Sequence, residues 1–423
     1  IYSPPPSKPS PSRSHGGPAG APGSSSDRAV AVNIFISFIG AGILSLPRAF
    51  LVSGWLQSTV CLAVVCAMSV KCMLLLMDTR RRLEEQGHAG VAGYGDLGRV
   101  LYGSGGERAV DACLVVSQMG FATAYIIFIA KNVRSLTGGA VPVAATSFLC
   151  VPVLSYLVCL RSMKSLSPFS LVADVANVLG LAMVFVQDVQ FYPLDHDEIV
   201  AVNLDQMLYI LSISVYCFEG VCLILPLESS AANRATFPSL LIKVVSAITV
   251  LMAAFGIAGY LGFGDATASP ITDNMEGPSA AFVKGALCIG LYLTYPIMMF
   301  PVSTVLEASF LQQKPNEPDD AYYWRQNKLR TGVVCLTAFV AWTVPDFSVF
   351  VSFVGSSICM LLAFVLPALF HLKTFPEQEL DKRLVDYGFI AFGVVMGVLG
   401  TYQSGKRLLS VVFGHGDAGE GGD

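Results

Sequence analysis

The chain has 423 residues, of which 54% are hydrophobic and 13% are charged, with a formal net charge of −4. Soluble domains carry roughly 25% charged residues, so these few charges cannot cover the surface of a water-soluble enzyme of this length. Lipid is therefore expected to be the solvent for most of the chain. The Lys and Arg residues are scattered, which excludes the clustered basic surface that nucleic-acid binding requires.

Residues 1–28 are rich in Pro, Ser and Gly. Such a composition cannot bury enough apolar surface to offset the entropy of ordering, so it predicts a disordered tail. The segment has no apolar stretch of the kind found in secretory signals. The chain begins with Ile rather than Met, which suggests that the N-terminus is incomplete. Residues 413–423 predict a second, C-terminal tail.

Apolar stretches long enough to cross a bilayer, about 20 residues each, recur between the two tails. They predict eleven transmembrane helices, at 29–51, 55–77, 108–133, 140–160, 168–190, 207–229, 237–263, 280–309, 329–345, 347–371 and 385–412. Residues 93–106 are too polar to cross and predict a short helix at the membrane interface. The fold class is therefore an all-α integral membrane protein whose membrane domain covers 29–412.

The distribution of Lys and Arg predicts the orientation of these spans. With the N-terminus in the cytoplasm and an odd number of spans, most of the 26 Lys and Arg residues lie on the cytoplasmic side. Cytoplasmic loops are enriched in these residues. The pattern therefore favours a cytoplasmic N-terminus and a C-terminus on the other side.

Two of the predicted spans are interrupted in matching places. Span one contains Gly40-Ala41-Gly42 followed by Pro47, and span six contains Gly220 followed by Pro226. Gly/Pro-interrupted spans at corresponding positions of two halves point to the central binding site of a transporter. The alternative is that Gly and Pro serve packing or a simple kink.

A broken helix at the middle of a membrane leaves backbone amides and carbonyls that need partners. The amides around Gly42 would accept the carboxylate of an amino acid, with the helix dipole behind them. Carbonyls near Phe218 would accept hydrogen bonds from its ammonium group. The aromatic residues Tyr125 and Tyr292 are expected to face the same cavity. The candidate substrate-binding residues are thus Ser37, Gly40, Ala41, Gly42, Tyr125, Phe218, Glu219, Gly220 and Tyr292.

Glu219 is a carboxyl group in the middle of a span, where an ionisable residue is costly and usually functional. It is the leading candidate for proton coupling, and Asp174 in span five is the second. The alternative for Glu219 is a structural carboxyl that braces the unwound segment. All eleven cysteines lie in apolar stretches and the histidines lie in loops, tails or at a span edge, so no metal site or cofactor is expected.

Several segments together resemble the amino acid/auxin permease family. The residues that carry the resemblance are Asn33–Phe50 (NIFISFIGAGILSLPRAF), Ser53-Gly54-Trp55, Tyr94–Gly98 (YGDLG), Ser117–Phe121 (SQMGF) with Tyr125 and 128–132 (FIAKN), Phe218-Glu219-Gly220 with 225–228 (LPLE), and Tyr295-Pro296 with Phe300-Pro301. Within this family the chain is most similar to proton-coupled amino acid transporters and to vacuolar neutral amino acid exporters of plants and fungi.

The resemblance implies a LeuT-like arrangement of two inverted five-helix repeats, at 29–190 and 207–371, and an extra helix at 385–412. It also implies a substrate amino acid between the two breaks. The sodium-coupled branch typically carries a second Asn three residues after the first, where this chain has Ile36. This difference favours protons over sodium.

We therefore expect a secondary active transporter, without enzymatic activity, that moves small neutral amino acids with protons by alternating access. The expected partners are the amino acid, protons and the lipid bilayer, and the expected state is a monomer. The resemblance favours a vacuolar or lysosomal membrane, with the plasma membrane as the alternative. Two other functions stay open: a membrane sensor of amino acids, and a transporter of auxin-like organic acids on the same fold.

Overall fold

The structure is a computed structural model that describes residues 25–88, 90–91, 93–160, 163–190, 199–275, 277–311, 313 and 317–413. These residues form α-helices joined by short 3₁₀ and π segments, and they contain no β-sheet. The helices are α1 Asp27–Phe38, α2 Leu46–Ser53, α3 Trp55–Glu85, α4 Tyr94–Leu136, α5 Val143–Val158, α6 Met163–Gln190, α7 Met207–Cys217, α8 Val221–Ser230, α9 Phe237–Phe263, α10 Gly277–Phe310, α11 Asp319–Thr343, α12 Phe347–Val354, α13 Leu366–Thr374 and α14 Leu380–Phe413. The all-α class is thus confirmed.

The first broken span consists of α1, a 3₁₀ segment Ala41–Ser45, and α2. Helix α1 ends before Gly40, whose extended backbone (φ −134°, ψ −178°) cannot continue a helix. Helix α2 restarts with Pro47 in its first turn, where proline is tolerated because the first amides of a helix lack intrahelical partners. The two halves are bent by 45°.

The second broken span consists of α7 and α8, separated by Phe218, Glu219 and Gly220. Ser25 forms an isolated parallel bridge with Ala231 just after α8, and the amide of Asn203 just before α7 donates to the carbonyl of Ser53 at the end of α2. The two broken spans therefore run in opposite directions. We call the end of the bundle that carries Ser25 and Ala231 the N-terminal end, and the end that carries Ser53 and Asn203 the opposite end.

Helix α4 contains the short helix expected at 93–106, which continues into the long span without a loop between them. It runs from Tyr94 to Leu136 and is kinked at Gly103, whose φ of 69° and ψ of −162° are not helical. A residue with a side chain would be strained in that conformation, so Gly103 permits the change of direction between a short helix and a long one. The hydroxyl of Tyr94 donates to the carbonyl of Leu362 at 2.8 Å, which anchors the short part to the bundle.

The start of the first helix also differs slightly from the sequence expectation. Helix α1 begins at Asp27, inside the tail predicted for 1–28, and Ser26 caps it by accepting a hydrogen bond from the amide of Ala29. Residues 1–24 of that tail, and residues 414–423 of the other, lie outside the described residues.

Within the described residues, seven helical stretches are long and apolar enough to cross a membrane, or eight if α1 and α2 count as one bent span. Helix α5 has only 16 residues, and α11 begins with Asp319 and Asp320 and contains further charges along its first half. Eleven spans therefore stay a prediction, as does the pair of inverted repeats.

The packing of the helices sets where a site can form. Helix α4 packs against α5, α10 and α11, while α3 packs against α9 and α13. The two broken spans contact each other through α2 and α7 and through α1 and α8. The first broken span packs on α9, and α7 packs on α3, on α12 and on the first of two π-helical stretches, Gly355–Cys359 and Leu361–Val365.

Candidate functional site

A cavity of about 430 Å³ lies where the two breaks meet. Its walls come from both broken spans, from one face of α4 and from the second half of α10. Binding cavities for small molecules typically measure about 300–1,000 Å³ and lie between the helices of a bundle. The cavity thus has the size and the place expected of a binding site.

The first break supplies free backbone donors to the cavity. Gly40, Ala41 and Gly42 line it. The first backbone hydrogen bond of the second half-span runs from the amide of Ile43 to the carbonyl of Gly40, at 3.3 Å. The amides of Gly40, Ala41 and Gly42 are therefore left without a backbone partner among the described residues. Amides at the start of a helix, reinforced by the helix dipole, form a site for a carboxylate.

Close packing explains why residue 42 is glycine. A Cβ atom at Gly42 would lie 2.7 Å from Cδ1 of Tyr216 and 3.2 Å from Sγ of Cys217. The ring of Tyr216 in turn packs on Phe121, with 4.6 Å between ring centroids. The absence of a side chain at Gly42 thus lets α7 approach the first break.

The second break supplies two polar side-chain atoms without a partner among the described residues. They are Oη of Tyr216 and Oε2 of Glu219, and both side chains line the cavity. The other carboxyl oxygen of Glu219, Oε1, accepts a hydrogen bond from Sγ of Cys222 at 3.3 Å. Because buried polar atoms are normally hydrogen-bonded, the two free atoms are the natural contacts for a polar ligand.

Helix α4 lines the cavity on both sides of its kink at Gly103. Before the kink the lining residues are Tyr94, Gly95 and Asp96, and after it they are Glu107, Asp111, Leu114, Val115, Gln118, Phe121 and Tyr125, which follow one another at helical spacing. The cavity reaches from Tyr125, which is 4% exposed, to the partly exposed Glu107 and Asp111 near the N-terminal end. It therefore opens at the N-terminal end of the bundle.

At the opposite end, the loop 264–275 between α9 and α10 lies across the bundle and is held by three cationic side chains. Arg48 of α2 donates to the carbonyl of Thr267 at 3.0 Å. Lys131 of α4 donates to the carbonyl of Ser269 at 3.0 Å, and Lys284 of α10 to that of Met275 at 3.1 Å. We call these three residues the loop anchors. They tie the loop to α2, α4 and α10, so this end is closed in the structure.

Most of the candidate residues from the sequence meet at this cavity. Those that line it are Ser37, Gly40, Ala41, Gly42, Tyr125, Glu219 and Gly220. Their binding and coupling roles stay predictions. Sequence reasoning missed Tyr216, Cys222, Glu107 and Asp111. Helical spacing back from Tyr125 along α4 could have found the two acids, and spacing back from Gly220 could have found Tyr216.

Three candidates do not line the cavity, and for Phe218 and Tyr292 this corrects their expected place. Phe218 is completely buried, and its carbonyl accepts a hydrogen bond from the amide of Gly220 at 3.0 Å. Tyr292 points to α5, where its hydroxyl donates to the carbonyl of Cys150 at 3.2 Å. Asp174 lies half-buried on α6 and is not among the lining residues. The sequence spacing did not show which helix faces turn inward.

The polar groups of the cavity can bind a zwitterion or a proton. Its charged lining residues are Asp96, Glu107, Asp111 and Glu219, and none of the lining residues in the described part of the chain is Lys or Arg. No group of three or more His, Cys, Asp or Glu residues that could hold a metal ion occurs among the residues that were described. The site therefore offers amide donors on one side and carboxylate acceptors on the other.

The sequence from residue 23 to residue 405 matches the family described as transmembrane amino acid transporter protein. The chain belongs to this family. It is an integral membrane protein of a family of transporters, not of enzymes.

Named relatives agree with this assignment. The chain is 36% identical to amino acid transporter AVT3B of Arabidopsis thaliana, over 88% of this chain and 91% of that protein. It is 33% identical to amino acid transporter ANT1 of the same plant, over 88% of this chain and 90% of that protein. Vacuolar amino acid transporter 3 of Schizosaccharomyces pombe is 29% identical, over 90% of this chain and 58% of that protein.

A solved structure supports the fold. It is the substrate-bound outward-open state of a Na⁺-coupled sialic acid symporter, and it matches with a TM-score of 0.57 and 12% identity, over 92% of this chain and 90% of that chain. At this identity the match shows a LeuT-like transporter fold alone.

Proposed function

We propose that the protein is a secondary active transporter that moves small neutral amino acids together with protons by alternating access. The observation that carries the proposal is the cavity between two antiparallel broken spans, with free amides on one break and free oxygens of Tyr216 and Glu219 on the other. Family membership supports amino acids as the cargo.

In this proposal the substrate carboxylate is bound by the amides of Gly40, Ala41 and Gly42. The ammonium group lies towards Glu219 and the backbone around Gly220. Because the rings of Phe121, Tyr125 and Tyr216 limit the cavity towards the opposite end, we propose a substrate with a small uncharged side chain. No cofactor is needed, since the energy would come from the proton gradient.

Glu219 is the proposed proton carrier. Its carboxyl group faces the cavity and has one free buried oxygen, Oε2. A mid-membrane carboxyl that faces a cavity is typical of proton relays. Asp174 stays the second candidate and acts as a comparison, because it lies on α6 away from the cavity lining.

The orientation follows from the charge distribution described above. We propose eleven spans, a monomer, and a cytoplasmic N-terminal end, so that the present structure is open to the cytoplasm. The vacuolar membrane is favoured because relatives from Schizosaccharomyces pombe and Saccharomyces cerevisiae are named vacuolar amino acid transporters. The plasma membrane is the alternative.

Uptake of radiolabelled alanine into proteoliposomes under an imposed pH gradient tests the proposal. We expect uptake by the wild-type protein to depend on the gradient, and we expect Glu219→Gln to lose this dependence while Asp174→Asn keeps it. Binding of alanine without any flux would instead indicate a sensor. If Asp174→Asn loses the dependence and Glu219→Gln keeps it, the coupling role belongs to Asp174.

A further inference from the structure

The thiol of Cys222 makes a hydrogen bond to the carboxyl group that faces the cavity. Cys222 lies in the first turn of α8, three residues after Glu219, and its Sγ lies 3.3 Å from Oε1. Both side chains line the cavity. The second oxygen of Glu219, Oε2, is buried and has no partner among the described residues. Oε1 is thus hydrogen-bonded to Cys222, while Oε2 is available to a ligand in the cavity.

We propose that Cys222 is a positioning residue for Glu219. Its thiol fixes the carboxyl group of Glu219 so that Oε2 faces the cavity. This inference rests on the proposed role of Glu219 as the proton carrier. The thiol stays protonated and donates its hydrogen to Oε1, so no covalent chemistry is involved. A donor to the ionised carboxylate stabilises that form relative to the protonated one, and it also restricts the rotation of the side chain.

Other titratable groups around Glu219 do not take this role. Tyr94 approaches from α4, but its hydroxyl donates to the carbonyl of Leu362 at 2.8 Å. Cys359 lies in the π segment after α12 and makes no described hydrogen bond to Glu219. The carboxyl groups of Asp96, Glu107 and Asp111 line the same cavity. Cys222 is therefore the side chain in the described part of the chain that donates to Glu219.

The pH dependence of transport tests the proposal. Cys222→Val keeps an apolar side chain of similar size without the donor, and Cys222→Ser keeps a donor. Cys72→Ala is the matched control, because Cys72 is a second buried thiol that does not line the cavity and makes no described hydrogen bond to Glu219. Alanine uptake into proteoliposomes is measured over a range of pH for each protein.

We expect Cys222→Val to move the pH of half-maximal uptake towards alkaline values by about half a pH unit. Cys222→Ser should stay at the wild-type midpoint, and so should Cys72→Ala. The proposal is overturned if Cys222→Val keeps the wild-type midpoint, or if Cys222→Ser shifts as far as Cys222→Val, since a loss of packing would then be the cause.

A second measurement covers the case in which Cys222→Val transports too slowly. The infrared band of the protonated Glu219 carboxyl, assigned by its absence in Glu219→Gln, is followed against pH in purified protein. Its midpoint should shift in Cys222→Val by the same amount, and an unchanged midpoint contradicts the proposal. If uptake by the wild-type protein does not depend on the pH gradient, the proposed function itself is refuted. Failure of the Cys222 proposal can thus be distinguished from failure of proton-coupled transport.

Discussion

Individual residues at the two breaks determine whether the cavity exists. Gly42 leaves room for the ring of Tyr216, which closes the cavity together with Phe121. Gly40 has open space instead, since a Cβ atom there would have no neighbour within 4 Å. A methyl group at residue 42 would therefore collide with Tyr216, whereas a methyl group at residue 40 would meet no neighbour.

Substitution of these two glycines tests that difference. Gly42→Ala should displace the ring of Tyr216, and overpacking of this kind costs about 1–3 kcal/mol. We expect alanine binding to weaken at least tenfold, measured by isothermal titration calorimetry in detergent. Gly40→Ala is the control and should keep a thermal midpoint close to that of the wild type. Equal loss of binding and stability in both variants would contradict the assigned role of Gly42.

Part of the site could be predicted from the sequence because its determinants are local. Gly lowers the stability of a helix through its own backbone freedom, so the breaks at Gly40–Gly42 and Gly220 could be predicted from the residues themselves, although α8 continues through Pro226. The direction of a side chain around a helix depends on its neighbours. Tyr292 turns to α5, while Tyr216, which was not singled out, turns to the cavity. Only packing decides between these outcomes.

Among the elements, α8 and α3 are joined by a buried ion pair at the N-terminal end. Glu228 of α8 is 1% exposed and accepts a hydrogen bond from Arg81 of α3 at 2.8 Å. Arg80 lies 3.7 Å from the same carboxyl group and donates to the carbonyl of Leu225 at 2.9 Å. The structure can bury Glu228 because two Arg residues of α3 face it.

Removal of the charge of Glu228 should loosen α8 from α3. Glu228→Gln leaves Arg81 without its carboxylate, while Arg80 keeps its ion pair with Glu84. We expect a cost of about 2 kcal/mol, since Arg81 is partly exposed and screened by water. We expect a clear fall in the thermal midpoint. Glu85→Gln removes a carboxylate from an exposed pair with Arg82 on the same helix and should leave the midpoint unchanged. If the thermal midpoint falls equally in both variants, the buried ion pair of Glu228 does not join α8 to α3.

At the scale of the whole molecule, the two ends differ in access to the cavity. The N-terminal end is open past Glu107 and Asp111, and the opposite end is closed by the loop 264–275 with its three anchors. Alternating access requires this loop to separate from at least one of the helices that hold it. The all-α class and the broken spans were predictable. The state of each end was not, because it depends on contacts between distant loops and helices.

Weakening a loop anchor should open the closed end. Lys131→Gln loses a charged donor to Ser269, a loss of about 1 kcal/mol that shifts a two-state equilibrium roughly fivefold. We expect faster labelling of Cys217 by an impermeant thiol reagent added on the side of the loop, read by mass spectrometry of the labelled peptide. Lys382→Gln, which removes an exposed charge, is the control. Unchanged labelling in Lys131→Gln would show that the anchors do not hold this end closed.

The central claim is that an amino acid binds between the two broken spans. A cryo-electron microscopy map of the protein in saturating alanine tests it most directly. The account predicts density in the cavity, with the carboxylate at the amides of Gly40, Ala41 and Gly42 and the ammonium group towards Glu219. A map in which this cavity is empty while alanine occupies another place, or in which both spans are continuous helices, would contradict it.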